Sequence, residues 1–138
     1  QKTELSQKLS DEVAQIKDLD LLLGIVLAEA RWFVNADAGS ILFRSDNELN
    51  FSHAQNETLQ PGKKLIYNTF TVPIDNMTIT GCVASTNKAL NILDVYNLSD
   101  GLTYKFGQWF DEVADYQTQS MLTVPLTTRL GMWLAYCK

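Results

Sequence analysis

The densest run of chemically capable side chains is FDEVADYQTQSMLTVPL, Phe110 to Leu126. Asp111 and Glu112 are adjacent carboxylates, and Tyr116, Thr118 and Ser120 follow at alternate positions. Two carboxylates do general acid–base work when they flank one substrate bond. Neighbours on a helix point about 100° apart, so Asp111 and Glu112 cannot face each other in that way. Two readings remain for them. One is a solvated first helical turn, where the helix dipole favours negative charge. The other gives Asp111 a ligand contact or a structural salt bridge. Alternation puts Tyr116, Thr118 and Ser120 on one side of an extended segment. They are either a polar lead-in to a strand or a row of hydroxyls aimed at a ligand in a cleft between sheet and helix. The stretch has hydrogen-bonding groups and no proton-transfer machinery.

Other chemistries find little support. Acyl transfer needs a nucleophile, a base and an orienter. His53 is the sole histidine, and nothing in the spacing joins it to Cys82. Cys82 and Cys137 make no CxxC pair and no disulfide scaffold, and read as small buried hydrophobes in a reducing compartment. Zinc would need three or four converging ligands, and the soft ones here are isolated. TGCVAST, Thr80 to Thr86, lacks the lysine and second glycine of a phosphate loop.

The charge balance narrows the partners. A net charge of −5, with Lys and Arg scattered over 138 residues, argues against nucleic acid and anionic membrane. The longest apolar run, Leu21 to Ala28, is interrupted by Gly24 and is too short to span a bilayer. No secretory signal is legible, so the Asn-x-Ser/Thr triplets at Asn56, Asn76 and Asn97 read as chance matches. A cytoplasmic location is expected. The chain opens in the middle of a helix-like pattern, as a fragment of something longer would.

The elements that must position these residues follow from periodicity. Leu5, Leu9, Val13 and Ile16 form one apolar stripe of a helix. Asp18 and Asp20 interrupt it and would cap a second helix from about Leu21 to Val34, apolar on most faces. NADAG, Asn35 to Gly39, is a helix stop, with Asp37 and Gly39 suited to the tight turn that follows. Ser40–Arg44 and Leu49–Ala54, around a polar break, predict a hairpin whose second strand shows Leu49, Phe51 and His53 on one face. Gln55 to Lys64 reads as a loop, and Leu65 to Ile74 as a short strand or irregular lid. A short helix with a capping hydroxyl follows over Thr78–Asn87, then a strand over Ala89–Leu93 and a loop to Gly107. A short helix over Gln108–Asp115 leads to strands over Ser120–Thr127 and Leu130–Lys138. The layout is α+β: a mainly antiparallel sheet of about five to six strands, N-terminal helices on one face, and loops and short helices forming a pocket on the other.

Three stretches, LLLGIVLAEARWFVNADAGSILFRSDNELNFSHAQNETL, ITGCVASTNKALNILDVYNL and YKFGQWFDEVADYQTQSMLTVPL, together resemble a GAF domain. The order matches that family from about Leu21 onward, and the joint order is more specific than any piece. The variants here are similar to GAF domains upstream of bacterial HD-type phosphohydrolases, nucleotide cyclases and sensor kinases. The resemblance implies a regulatory module that binds a small organic ligand, a cyclic nucleotide among the candidates, and signals to an output domain. Residues 1–20 would be a signalling and dimerisation helix and 21–138 the GAF domain.

Carried over residue by residue, the family pocket would use Phe51 and His53, Ile79 and Thr80, Asp94 and Tyr96, Phe106 and Phe110, and Tyr116, Thr118 and Ser120. Asp111 joins them through its own position. The departures are informative. Asp94 to Gly107 has neither the Cys nor the His of bilin-binding relatives. The dispersed Asn-Lys…Phe…Asp-Glu signature of cyclic-nucleotide relatives is replaced at its start by Cys137. The closing helix of the family does not follow Lys138, as in a truncated or altered terminus. No metal is expected. Two other readings stay open: a ligand-free dimerisation or interaction module, using the Leu5–Ile16 stripe, and an enzyme like the GAF-fold methionine-sulfoxide reductases, whose cysteine pattern is not matched here.

Overall fold

The computed structural model describes residues 2–57, 71–126 and 132–137, with the backbone alone for 109, 110 and 132–137. The expected loop after Glu57, most of the expected strand or lid before Thr71, and the turn before the last strand lie outside the described residues. The chain runs α1 (Lys2–Val34), β1 (Ala38–Ser45), β2 (Glu48–Asn56), β3 (Thr71–Pro73), α2 (Ile79–Thr86), β4 (Leu90–Ile92), α3 (Gln108–Ala114), β5 (Met121–Leu126) and β6 (Met132–Cys137). This is the α+β layout with a mainly antiparallel sheet. Its strand order is β3-β2-β1-β6-β5-β4, so β6 joins the three-stranded β3-β2-β1 unit to the β5-β4 pair.

One expectation about the helices is corrected. Asp18 and Asp20 do not divide the N-terminal segment; α1 is continuous for 33 residues. An interior Asp costs only about 0.7 kcal/mol against Ala, too little to break a helix held elsewhere by packing. The stop comes at Asn35, whose left-handed backbone (φ 54°) lets Ala36 N–H reach the Arg31 carbonyl at 2.9 Å. Asn87 and Asp115 end α2 and α3 with the same left-handed geometry. Gly39 therefore does not serve the turn. It lies in β1, where a Cβ would come within 2.8 Å of the Arg31 side chain, so its bareness seats α1 on the sheet.

Adjacent strand residues point to opposite faces, which divides the core. On one face Ile41 packs with Leu27 of α1, flanked by Leu23, Ala30 and Leu122. On the other, Leu42 and Leu49 pack with Val83 and Ala84 of α2, flanked by Phe51, Leu90 and Met121. A further cluster of Ile79, Ile92 and Val95 continues that second face toward Tyr104 and Phe106. Each fully buried aliphatic side chain here contributes about 1.5–3 kcal/mol.

The hairpin differs from simple alternation at one place. Ile41 pairs with His53 and Leu42 with Phe51, which leaves Ser52 as an extra residue in β2. Such a bulge reverses the facing of everything beyond it. Phe51 accordingly packs on the α2 side, while His53 Nε2 meets Asp20 of α1, at 2.8 Å from Oδ1 and 3.1 Å from the carbonyl. The expected shared face of Leu49, Phe51 and His53 ends at Phe51.

Two substitutions test this packing. A Cβ at position 81 would run into the Pro73 carbonyl oxygen and lie 2.7 Å from Thr78 Oγ1. Gly81→Ala is therefore expected to lower stability by about 2–4 kcal/mol in urea unfolding. Thr123 is fully buried in β5, and its hydroxyl finds no partner among the described residues. Thr123→Val, which keeps the shape, is expected to raise stability by about 1 kcal/mol in the same experiment.

Candidate functional site

The site grows from the connection between α3 and β5. Asp115 in left-handed geometry ends α3, and residues 116–120 then lead to β5 outside any helix or strand. Alternation holds along them: Thr118 is buried, Tyr116 and Ser120 are half-buried, and Gln117 and Gln119 face solvent. The loop after β4 lies alongside, with Val95 N–H bonded to the Gln119 carbonyl at 2.9 Å. Asp94 shapes that loop by accepting from Tyr96 N–H at 3.0 Å.

Asp111 binds these pieces together. Its Oδ2 accepts from the Tyr96 hydroxyl at 2.5 Å and from Thr118 N–H at 2.8 Å, and its Oδ1 accepts from the Thr118 hydroxyl at 2.8 Å. Its backbone carbonyl takes Tyr116 N–H at 3.1 Å. Asp111 is only 5% exposed, so the solvated first-turn reading fails for it and holds for its exposed neighbour Glu112. A buried carboxylate needs its acceptors filled, and hydroxyl and amide donors do this without a salt bridge. The Tyr96 ring meets Phe106 edge-on, centroids 5.3 Å apart at 73°.

A cleft of about 390 Å³ opens above this network, lined by Asp94, Tyr96, Gln117, Thr118 and Gln119. It offers two amides, a carboxylate, hydroxyls and an aromatic edge, a set suited to orienting a small polar molecule. Among the described residues, none that lines it is a cation, a thiol or a histidine. Among the described residues no three His, Cys, Asp or Glu side chains converge as metal ligands would.

Of the positions carried over from the family, Asp94, Tyr96 and Thr118 line the cleft, and Asp111 and Phe106 stand directly behind it. Tyr116 and Ser120 share the inward side of the same segment. Ile79, 2% exposed, is part of the apolar core, and Thr80 is buried beside it on α2. Phe51 belongs to the cluster under α2. His53 is corrected: the bulge turns it to the opposite face of the sheet, against α1. Phe110 sits in α3, and its side chain lies outside the described residues. Gln117 and Gln119 were not expected; the signal for them is the intervening phase of the same alternation. Cys82 is a free, half-buried thiol on α2.

No family model matches the chain, and no curated protein matches it in sequence. Solved structures do match in fold. The GAF domain of a phosphoenolpyruvate-protein phosphotransferase from Coxiella burnetii superposes with a TM-score of 0.67 at 18% identity, over 96% of this chain and 74% of that one. A GAF domain/HD domain protein from Geobacter sulfurreducens gives 0.65 at 14% identity, over 88% and 74%. A type II free methionine-R-sulfoxide reductase from Thermoplasma acidophilum gives 0.62 at 11% identity, over 88% and 76%.

Two expectations follow for the network. Asp111→Asn would turn an amide N–H₂ toward donors and is expected to cost about 2–4 kcal/mol of stability in urea unfolding. The Tyr96 hydroxyl is pushed up from 10.0 to about 12 by its burial, then by its bond to Asp111 and the charges of Asp111 and Glu112. The unfolded chain releases this proton near pH 10 and the folded chain near pH 12. The stabilisation is therefore complete below pH 10 and lost as pH rises through about 12. The ring is 42% exposed, so screening keeps the effect small. The stability advantage of wild type over Tyr96→Phe should shrink across that window in urea titrations.

The chain has the fold of GAF domains from bacterial proteins.

Proposed function

We propose that this chain is a non-catalytic regulatory domain that binds a small polar molecule in the cleft between Tyr96 and Gln119. The observation that carries the reading is the cleft itself: a polar recess whose wall is held by the Tyr96–Asp111–Thr118 network. The GAF fold supports it by analogy, since fold alone does not assign function. Hydroxyls, amides and a carboxylate line the recess, and among the described residues that line it there is no nucleophile with an adjacent base. Cyclic mononucleotides are one ligand class to test.

In this reading occupancy biases α1 and so an output domain in a longer cytoplasmic signalling protein, with residues 1–20 as the transmitting segment. Leu5, Leu9, Val13 and Ile16 are exposed along that segment and form a surface for such a neighbour. Ligand binding shifts the equilibrium only by its differential affinity for the two states. A homodimer through α1 belongs to the same proposal. The exposed apolar residues of α1 also favour a second reading, an interaction module that works without ligand.

Native mass spectrometry of the purified protein, followed by a thermal-shift panel that includes cyclic mononucleotides, separates the two. A retained small molecule, or a ligand that stabilises by about 2.7 kcal/mol at a hundredfold excess over Kd, is expected. Gln119→Ala should abolish that stabilisation while leaving the unliganded melting temperature within about 1 °C, because the side chain is exposed. A bare mass with no shift across the panel would favour the interaction module.

A further inference from the structure

We propose, on the reading that the cleft beside Tyr96 binds a small molecule, that its occupant is an organic cation carrying N–H donors, a primary ammonium or a guanidinium. The donors of Tyr96 and Thr118 are already engaged inward. Tyr96 N–H bonds to Asp94 Oδ1 at 3.0 Å, and the Tyr96 hydroxyl to Asp111 Oδ2 at 2.5 Å. Thr118 commits both its N–H and its hydroxyl to the Asp111 carboxylate, each at 2.8 Å. The neighbouring N–H groups of Val95, Asn97 and Tyr116 are taken by the carbonyls of Gln119, Asp94 and Asp111. The side chains that line the cleft are therefore left with acceptors in excess. Asp94 lines it, and among the described residues its Oδ2 has no hydrogen-bond partner. A Tyr or Thr hydroxyl that donates inward still has oxygen lone pairs to offer. Gln117 and Gln119 each supply a carbonyl oxygen and an amino group.

Charge selects among donors. Between Asn91 and Leu126 the sequence carries five carboxylates, Asp94, Asp100, Asp111, Glu112 and Asp115, against one cation, Lys105. The backbone of Lys105 pairs beside Met77 and Thr78, and Lys105 does not line the cleft. The ion pairs among the described residues, Arg31–Glu57 and His53–Asp20, belong to the α1 side of the sheet. Among the described residues, then, Asp111 is met by neutral donors alone, and no cation offsets it or Asp94. The Tyr96 hydroxyl registers this field: burial, the bond to Asp111 and the charges of Asp111 and Glu112 together hold its proton to about 12. A recess walled by one sign of charge concentrates the opposite sign. The Tyr96 ring, 42% exposed and set edge-on to Phe106, adds an aromatic surface that attracts a cation. A volume of about 390 Å³ suits a molecule of modest size. A phosphate or carboxylate fits less well: it would meet the Asp94 carboxylate and, among the described lining residues, no cationic side chain. A bare metal ion fits less well too, because no three ligating side chains converge among the described residues.

Amide chemical-shift titration of the isotopically labelled chain tests the proposal with a matched set of probes at neutral pH and fixed ionic strength. The cations are n-butylamine and n-butylguanidine, the anion is butyrate, the neutral shape is n-butanol, and calcium chloride supplies a bare cation. The two organic cations are expected to perturb the amides of residues 94–97 and 117–119 saturably, with Kd on the order of 1–10 mM. Butyrate and butanol should bind at least about tenfold more weakly. Asp94→Asn keeps an oxygen for Tyr96 N–H, so it should preserve the melting temperature while weakening the cations about fivefold. Gln117→Lys, at an exposed position, should abolish cation binding and turn the preference to butyrate. Saturation of these amides by butyrate or butanol and not by the organic cations would overturn the ligand class and leave the cleft reading standing. So would a response to calcium alone, or equal binding of butylamine by wild type and Gln117→Lys. No response at these amides to any probe would overturn the class and the cleft reading together.

Discussion

The interaction on which the site depends is the buried carboxylate of Asp111. It accepts from three groups on two other segments, the Tyr96 hydroxyl and the amide and hydroxyl of Thr118. The loop after β4, α3 and the approach to β5 carry few backbone bonds to one another. One side chain therefore does much of the work of registering them. A carboxylate suits this role because its two oxygens accept from several directions and are costly to leave empty in a buried place. The wall of the cleft stands or falls with that arrangement. The polar groups at its mouth, Gln117 and Gln119, are presented by the same segment that Thr118 anchors.

The second constraint is the bulge at Ser52. It gives β2 two faces with different tasks. Up to Phe51 the strand builds the core beneath α2; from His53 it builds a polar rack for α1. His53 bonds Asp20, Gln55 donates to the Gly24 carbonyl at 2.8 Å, and Arg31 reaches back to Glu57 at 2.8 Å. The docking of α1 thus rests on alternate residues of one strand together with a small apolar contact centred on Leu27 and Ile41. His53 Nε2 lies against two acceptors of Asp20, and Nδ1 pairs with the Ser52 hydroxyl.

Much of this was legible in the sequence, for identifiable reasons. Thr78 reads as a helix cap and does cap α2, accepting from Gly81 N–H. The alternation through Tyr116, Thr118 and Ser120 is preserved as alternating burial. The runs that read as the strands around Leu90, Met121 and Met132 all form. The failures are local. A bulge adds a residue without leaving a turn signal, so Ser52 looks like an ordinary strand position and His53 is sent to the wrong face. Asp18 and Asp20 look like a break because propensity is a weak local preference, and packing further along α1 overrides it. The sequence leaves two readings open for Asp111, surface acid or contact residue, because its partners come from positions 96 and 118 and no local pattern announces a contact over such separations.

The central claim is that the recess beside Tyr96 receives a small molecule. Amide chemical-shift mapping of the isotopically labelled chain, titrated with a ligand retained on purification or found by melting, addresses it most directly. Perturbations concentrated at residues 94–97 and 117–119, extending to the amides of α1 near Asp20 and Gly24, are the expected result. Perturbations confined to other surfaces, or a spectrum that no ligand alters, would contradict it.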